Sequence, residues 1–351
     1  MRVARTLWPG IAIVIAFVVG GVLTYAFGND PFIAYRALVS GSFGDLYSIA
    51  STLTVTLPLA ITGIAVAFSF RSGLFNIGAG GQYWLGGIAA AWVGYAVKLP
   101  PVIHIVVAML AGIVAGAVWA AVVPGLAKAY RGAHEVITTL MMTYIATDFG
   151  HYLVEGGPMQ QPGYTPQSPP LQPTAIIGTM VPGTQLTWAI LLVPVIAVVA
   201  WFVLQRTSLG FSLRLAGYNL RAARYAGVNS VSAILTALAI SGGLAGFAGS
   251  IQVLGVDRRL FDGFDPSYGY TAIVVALLAR NDPFGVLLAA VLFGALDTGA
   301  NQMQIVANVP FNLAGVIQGI IIFFIAAEGL LRVFSRRRNA PAAELQTAAT
   351  E

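Results

Sequence analysis

Residues 186–204 read LTWAILLVPVIAVVAWFVL, and residues 205–230 continue as QRTSLGFSLRLAGYNLRAARYAGVNS. The first run has no charged residue, and its length of about 20 residues is enough to cross the hydrocarbon core of a bilayer as a helix. The second run carries four arginines and no acidic residue. The pair of segments therefore predicts a helical membrane protein that returns to water through a basic loop.

The composition of the whole chain agrees with this prediction. Of its 351 residues, 9% are charged and 58% are hydrophobic, and the mean hydropathy is +0.82. Soluble domains carry about 25% charged residues, so this chain has too few charges to build a water-facing surface. Its apolar runs are continuous rather than alternating, which favours helices over the strands of a membrane barrel. The absence of cysteine excludes disulfides and thiol chemistry.

The apolar runs predict about ten membrane crossings within a single transmembrane domain, residues 1–335. An interfacial segment is expected at residues 30–45, and residues 336–351 are expected to form a disordered cytoplasmic tail. The run 268–279 is too short for a full crossing at about 1.5 Å per residue, so it is expected either to form a half-helix or to span together with flanking residues. The ten predicted spans are residues 7–27, 46–70, 74–97, 102–123, 135–154, 186–204, 231–254, 268–279, 284–305 and 311–331.

The basic residues predict the orientation. Cytoplasmic loops of membrane proteins are enriched in Lys and Arg, and residues 155–185 contain neither. This segment is therefore expected outside and residues 205–229 inside, with both termini in the cytoplasm. The net charge of +5 is explained by this bias, so it does not indicate nucleic-acid binding. This topology places 14 of the 18 basic residues in the cytoplasm, namely Arg2, Arg5, Arg71, Lys128, Arg131, Arg206, Arg214, Arg221, Arg224, Arg280, Arg332, Arg336, Arg337 and Arg338.

The most distinctive string is RSGLFNIGAGGQ at residues 71–82, where four glycines surround Asn76 and Gln82. One interpretation is close helix packing, with the two amides satisfied by neighbouring backbone. The other is a broken helix that lines a translocation path, since irregular backbone is tolerated in a membrane where it faces a cavity. The string is not a phosphate-binding loop, because no Lys-Ser or Lys-Thr follows the glycines.

Acidic and amide residues on two predicted helices are the other candidates for the path. Glu135 and Thr139 share one helix face, and Asp297 with Asn301 forms a polar stripe. Acids within spans are rare and usually functional. The alternatives are a helix N-terminal acid stabilised by the helix dipole for Glu135, and hydrogen bonding between helices for Asp297. Gly242, Gly246 and Gly249 predict tight packing of one span.

The chain offers no pattern for chemistry of its own. The three histidines share no metal-ligand spacing, and no nucleophile–base arrangement or paired carboxylates can be traced. We expect no metal and no cofactor on this chain. An integral-membrane enzyme is therefore disfavoured, while an ion-coupled carrier acting through Asp148 and Asp297 stays open.

Five strings together resemble the permeases of ABC importers for branched-chain amino acids, simple sugars and nucleosides, especially the longer permease of the nucleoside branch. They cover most of residues 47–326. The family usually has Glu at the position of Gly80 and Asn at the position of His134, so roles of those family side chains do not transfer. The strings are residues 71–82, 135–144, 210–229, 254–264 and 277–285.

The resemblance implies the fold of the vitamin B12 importer permease, with about ten helices. It implies a separate cytoplasmic ATPase that carries ATP and Mg²⁺, a second and non-identical permease, and an extracellular or periplasmic binding protein. The cargo is expected to be a nucleoside, the alternatives being a simple sugar such as ribose or an ion-coupled carrier. The location is the cell membrane of a prokaryote. Residues 210–229 are expected to form one coupling helix, with the ATPase contacted by Arg206, Arg214, Asn219, Arg221 and Arg224.

Overall fold

A computed structural model describes residues 2–163, 165–264 and 267–310, with the short pieces 312–313, 315–320 and 323–324. The fold is 77% helical and has no strand in this part of the chain. The predicted span 311–331 lies largely outside the described residues, and the predicted tail 336–351 lies wholly outside them.

The first half of the chain forms seven helices. They are α1 (Arg2–Ala26), α2 (Pro31–Phe43), α3 (Leu46–Arg71), α4 (Ala79–Ala96), α5 (Ile103–Ala120), α6 (Leu126–Arg131) and α7 (Glu135–Val154). A π-helical turn, Ala121–Gly125, joins α5 to α6 and contains Pro124, which cannot donate a helical hydrogen bond.

The second half begins with a mostly irregular segment and continues through six helices. They are α8 (Leu192–Arg206), α9 (Ser208–Tyr218), α10 (Leu220–Tyr225), α11 (Ser230–Ile251), α12 (Ser267–Leu278) and α13 (Pro283–Ala307). A 3-10 turn, Trp188–Leu191, precedes α8, and a π-helical segment, Gln252–Asp257, extends α11.

Five helical stretches are long and apolar enough to cross a membrane within the described residues. They are Leu46–Arg71, Ile103–Arg131, Trp188–Arg206, Ser230–Asp257 and Pro283–Ala307. Two apolar helices, Gly10–Ala26 and Ser267–Leu278, are shorter. The polytopic helical class is thus confirmed, whereas the count of ten and the likeness to the vitamin B12 importer stay predictions.

Contacts divide the chain into two units, residues 42–298 and residues 1–41 with 299–351. In the smaller unit the Tyr35 hydroxyl donates to the carbonyl of Phe17, and the two rings pack at 5.6 Å. This contact fixes α2 against α1.

The centre of the larger unit is built from α4, α5 and α11, which meet backbone to backbone. A Cβ atom placed on Gly246 would lie 2.3 Å from the carbonyl oxygen of Gly112, and one on Gly242 would lie 2.3 Å from that of Gly116. A Cβ on Gly249 would lie 1.9 Å from the Tyr83 carbonyl oxygen. The predicted tight packing of the span that contains these three glycines is confirmed.

The shortest apolar helix, α12, has 12 residues, or about 18 Å at the helical rise. It is therefore too short to cross the bilayer alone. A Cβ on Gly269 would lie 2.2 Å from the backbone nitrogen of Gly80, so the beginnings of α4 and α12 are in contact. At the other end of α12, the Asn281 carbonyl accepts a hydrogen bond of 3.0 Å from Arg71 Nε. This bond joins the turn after α12 to the turn after α3.

Candidate functional site

A closed cluster of buried polar side chains, here called the amide cluster, lies where α3, α4 and α11 meet. It consists of Asn76, Gln82 and Ser241, each at most 1% exposed. Asn76 Nδ2 donates to Gln82 Oε1 at 2.8 Å and to Ser241 Oγ at 2.9 Å. Gln82 Nε2 donates back to Asn76 Oδ1 at 3.0 Å, and Ser241 Oγ donates to the Ala65 carbonyl at 2.7 Å.

The irregular link between α3 and α4 places Asn76 in this position. Gly73 has a φ of +73°, a left-handed conformation that glycine adopts without cost. The chain then reverses, and the N–H of Gly78 donates to Asn76 Oδ1 at 3.1 Å just before α4 begins. The apolar run predicts a span that begins at residue 74, but α4 begins at Ala79. The N–H groups of Ile77 and Gly78 donate to the side chains of Thr139 and Asn76 instead of to helical carbonyls.

Helix α7 supports the same link. The N–H of Ile77 donates to Thr139 Oγ1 at 3.2 Å, and Thr139 Oγ1 donates to the Glu135 carbonyl at 2.7 Å. Four of the predicted path residues are thus brought to one place, namely Asn76, Gln82, Glu135 and Thr139. Their role in a path stays a prediction, since in this conformation the two amides face each other.

Glu135 is the first residue of α7, and its carboxylate is paired with the Lys128 ammonium at 2.7 Å. The side chains are 12% and 25% exposed. The pair spans the turn between α6 and α7, where Gly132 has a φ of +65°. A carboxylate at a helix N-terminus is also stabilised by the helix dipole, so the geometry accounts for this acid without a substrate.

The remaining predicted path residues lie on a different helix. Asp297 and Asn301 stand one turn apart on α13, where Asp297 is partly buried and Asn301 is exposed.

The Arg-rich segment, residues 205–229, contains two short helices rather than the single coupling helix predicted for residues 210–229. Asn219 has an extended backbone (φ −160°, ψ 109°) and ends α9. Its side chain accepts from the N–H groups of Arg221 and Ala222 at 2.9 and 3.2 Å, which starts α10. The prediction of one helix is wrong because this Asn side chain satisfies the free donors of a new helix.

The arginines of this segment are mostly exposed. Arg206, Arg221 and Arg224 are exposed, and Arg214 is half-buried. Arg214 Nη1 donates to Gln205 Oε1 at 3.2 Å, and Arg224 Nε donates to Ser230 Oγ at 3.0 Å. The guanidinium of Arg206 lies 5.8 Å from the Trp201 ring centroid. Tyr218 and Tyr225 are 87% and 95% exposed beside them.

The opposite side of the segment is apolar and rests on the ends of α3 and α11. Leu213, Ala216 and Ala223 are buried in a cluster with Phe68 and Ile234. A small cavity of about 80 Å³ remains between the segment and the α3–α4 link, lined in part by Gly73, Leu213 and Lys128. A Cβ on Gly217 would lie 2.6 Å from the Ser72 carbonyl carbon, so α9 touches the link that carries Asn76.

The segment 155–185, which is predicted to lie outside, is mostly irregular in its described residues, yet hydrogen bonds attach it to the bundle. The Ser168 N–H donates to the Leu260 carbonyl at 2.8 Å, and the Leu260 N–H donates to Ser168 Oγ at 2.9 Å. His104 is fully buried and contacts Thr174 Oγ1 at 2.8 Å, which accounts for that histidine structurally. The described residues contain no group of His, Cys, Asp and Glu that could hold a metal ion.

Sequence reasoning missed two members of these sites, Ser241 and Lys128. Ser241 stands in the stretch AISGGLAG, whose glycines indicate helix packing, and nothing in this stretch indicates a partner for the hydroxyl. In the sequence, Lys128 contributes only to the positive charge predicted for the cytoplasmic side. It stands seven positions before Glu135, and Gly132 lies between the two residues.

Comparison with known proteins identifies a matching family and several related permeases. The profile of the family described as "branched-chain amino acid transport system / permease component" matches residues 48–326. The guanosine ABC transporter permease protein NupP of Bacillus subtilis is 36% identical over 94% of this chain and 96% of its own length. The glucose ABC transporter permease protein TsgB13 of Haloferax volcanii is 35% identical over 95% and 92%. The nucleoside ABC transporter permease protein NupB of Lactococcus lactis is 30% identical over 97% and 95%. No solved structure matches the chain.

Proposed function

The chain belongs to the family of permease components of branched-chain amino acid transport systems, and on that premise we propose that it forms the membrane path of an ATP-driven importer of nucleosides. Two of the relatives described above are permeases for guanosine or nucleosides and align over nearly the whole chain. As a permease subunit in the cell membrane, the chain moves its cargo without changing it chemically.

The observation that carries the mechanism is the contact between the Arg-rich segment and the link that holds Asn76. Gly217 at the end of α9 meets Ser72 and Gly73 at backbone distance. Three residues beyond Gly73, Asn76 holds the amide cluster together. A displacement of α9 is therefore transmitted to the buried cluster without passing through a flexible side chain.

This contact gives the Arg-rich segment its role. Exposed Arg and Tyr residues are the types that dominate protein interfaces, and Arg221, Arg224, Tyr218 and Tyr225 are all exposed on this segment. We assign this surface to the cytoplasmic ATPase, with contributions from Arg206, Arg214 and Asn219. Closure of the ATPase around ATP and Mg²⁺ then moves α9 and α10, and the α3–α4 link follows.

The opposite face receives the cargo. Residues 155–185 lack basic residues and are held to the bundle by backbone hydrogen bonds, which makes them a firm surface for an extracellular or periplasmic binding protein. Both termini lie in the cytoplasm in this proposal. A second, non-identical permease completes the path. Asn76, Gln82, Glu135, Thr139, Asp297 and Asn301 are its polar residues on this chain.

A simple sugar is the second candidate cargo, and the glucose permease of Haloferax volcanii favours it. Amide and hydroxyl groups such as those of Asn76 and Thr139 can bind a sugar or the ribose of a nucleoside equally well.

A competition experiment distinguishes a nucleoside cargo from a sugar cargo. Uptake of labelled guanosine is measured in vesicles that hold the complete transporter, with unlabelled adenosine or ribose as competitor. Competition by adenosine supports the proposal, and competition by ribose alone favours the sugar.

The coupling role is tested with Arg221→Glu combined with Arg224→Glu. Charge reversal at the docking surface is expected to lower both stimulated ATP hydrolysis and guanosine uptake by about tenfold or more, since unfavourable charge pairs at an interface cost several kcal/mol. Arg36→Glu, at an exposed arginine of α2, is the control and should keep both activities. Unchanged activity in the double variant would remove the docking role, and uptake without any ATPase would indicate an ion-coupled carrier.

A further inference from the structure

A stack of aromatic rings closes the outer side of the bundle. The ring of Phe264 lies nearly parallel to that of Tyr83, with centroids 4.9 Å apart and an interplanar angle of 8°. It also stacks on Trp84 at 4.8 Å and 25°. Tyr268 packs against Tyr83 at 5.7 Å. Phe264 is 6% exposed, and Tyr83 and Trp84 are at most 1% exposed.

The Phe264 ring fits into this stack because residue 87 is a glycine. A Cβ on Gly87 would lie 2.9 Å from the Phe264 ring and 3.1 Å from Val253 Cγ2. Val253 belongs to the π-helical segment that extends α11, and such segments occur frequently at functional sites. The indole N–H of Trp84 is buried without a hydrogen-bond partner in the described part of the chain, and a buried donor of this kind calls for an explanation.

Phe264 does not belong to either neighbouring helix. It ends the irregular segment 258–264, which follows the π-helical extension of α11. Irregular backbone inside a membrane protein is tolerated where it is covered by protein or lines a cavity. The segment is bonded to segment 155–185 through Leu260 and Ser168, and to α7 through the contact of Asp262 with His151. A movement of the outer segment 155–185 would therefore act on the backbone that carries Phe264.

We propose that Phe264 occupies the place of a nucleobase, so that its ring closes the path from outside and a base replaces it between Tyr83 and Trp84 during transport. This inference rests on the proposed function, since a sugar has no ring of π-electrons to take the place of phenylalanine. A flat aromatic slot accepts any base, because every base has a π-face. Docking of the binding protein on residues 155–185 withdraws segment 258–264 and exchanges one ring for the other.

The natural absence of cysteine permits a direct test of the closure. Val253 and the Phe264 ring both lie next to Gly87, so Val253→Cys adds a single thiol to this chain near that ring with little change of volume, in the complete transporter reconstituted in vesicles. A membrane-impermeant maleimide is added outside, and its attachment to this chain is followed by mass spectrometry. We expect slow labelling of V253C, labelling about tenfold faster or more in V253C/F264A, and a slower rate again with guanosine. Labelling that ignores F264A or guanosine overturns the inference.

A matched variant separates closure from general loosening. Phe293 is a buried phenylalanine of α13, 1% exposed, and it takes no part in the stack. V253C/F293A should remain as protected as V253C. Equal labelling of the F264A and F293A variants would contradict a specific closing role for Phe264.

The stacking half of the inference is tested on Tyr83. Tyr83→Leu removes the ring and should raise the KM for guanosine by about tenfold or more, as expected for the loss of one base–aromatic stack. Tyr83→Phe keeps the ring and should stay near the wild-type KM; equal effects of the two variants overturn the inference.

Wild-type guanosine uptake is measured first in the same vesicles. Its absence counts against the proposed nucleoside function, whereas its presence with unresponsive variants counts against the slot alone.

Discussion

A side chain at Gly73 would stand 2.5 Å from the Cα atom of Gly217, so the turn after α3 and the end of α9 touch without any side chain between them. A separation this small leaves no room for one to move independently of the other. The contact therefore joins the Arg-rich segment directly to the link that carries the buried Asn76.

Gly217→Ala is expected to disturb this contact. The added Cβ would lie 2.6 Å from the Ser72 carbonyl carbon, so the two backbones must separate, at a cost of about 1–3 kcal/mol. We expect a lower melting temperature of the purified transporter and severalfold less guanosine carried per ATP hydrolysed. Gly178→Ala is the control, because its nearest neighbour would be 3.8 Å away. An unchanged ratio of uptake to hydrolysis in G217A would show that the contact is only structural.

Asn76→Leu is expected to destabilise the fold through the groups that it leaves behind. The buried Gln82 amide loses both of its bonds to Asn76, whereas Ser241 keeps its bond to the Ala65 carbonyl, and an unsatisfied buried group costs about 1–3 kcal/mol. The second change Gln82→Leu removes one of those groups as well. The melting temperature of the double variant should therefore fall by less than the sum of the two single effects. Strictly additive shifts would mean that the two amides do not act as a unit.

The Lys128–Glu135 pair is expected to hold α6 against the beginning of α7. Lys128→Met removes the cation from a partly buried carboxylate that keeps only backbone partners, and we expect a loss of about 1–2 kcal/mol. A double-mutant cycle with Glu135→Gln, measured by thermal unfolding, should give a favourable coupling energy. Since both side chains are mostly covered, added salt should weaken it only slightly. A coupling energy of zero would indicate that the ion pair forms without stabilising the turn.

His134→Asn is expected to stabilise α7. His134 occupies the N-cap position with no side-chain hydrogen bond, whereas Asn219 and Asn229 both cap their helices. An asparagine cap contributes about 1 kcal/mol, which should appear as a higher melting temperature. His134→Ala serves as the comparison and should show no gain. If the two variants melt alike, the helix start does not accept a cap there.

The sequence predicted the helices well where burial in lipid alone determines them. The span predicted for residues 135–154 agrees with α7 at both ends, and the short helix at residues 268–279 is found at Ser267–Leu278. The beginning of α4 and the break at Asn219 were not predicted. In both places an Asn side chain satisfies backbone donors, and that competition with helical hydrogen bonds depends on local geometry.

The sites were only partly predictable, for a different reason. Asn76 and Gln82 stand in one conspicuous string, which singles out both amides, but the expected partners are backbone groups rather than each other. Ser241, and the pairing of Tyr83 with Phe264, join residues from distant parts of the chain. Only the packing of α4 against α11 and the return of segment 258–264 bring these groups together.

The glycine contacts among α4, α5 and α11 limit where the protein can rearrange. Packed helices slide past one another by repacking the side chains between them, and here carbonyl groups stand directly against glycine Cα atoms. These three helices must therefore move together as a rigid body. In the mechanism proposed above, the alternation between inward and outward openings therefore falls to the parts around these helices. They are the end of α3 with the turn after α12, which Arg71 and Asn281 join, and the segment 258–264 that carries Phe264.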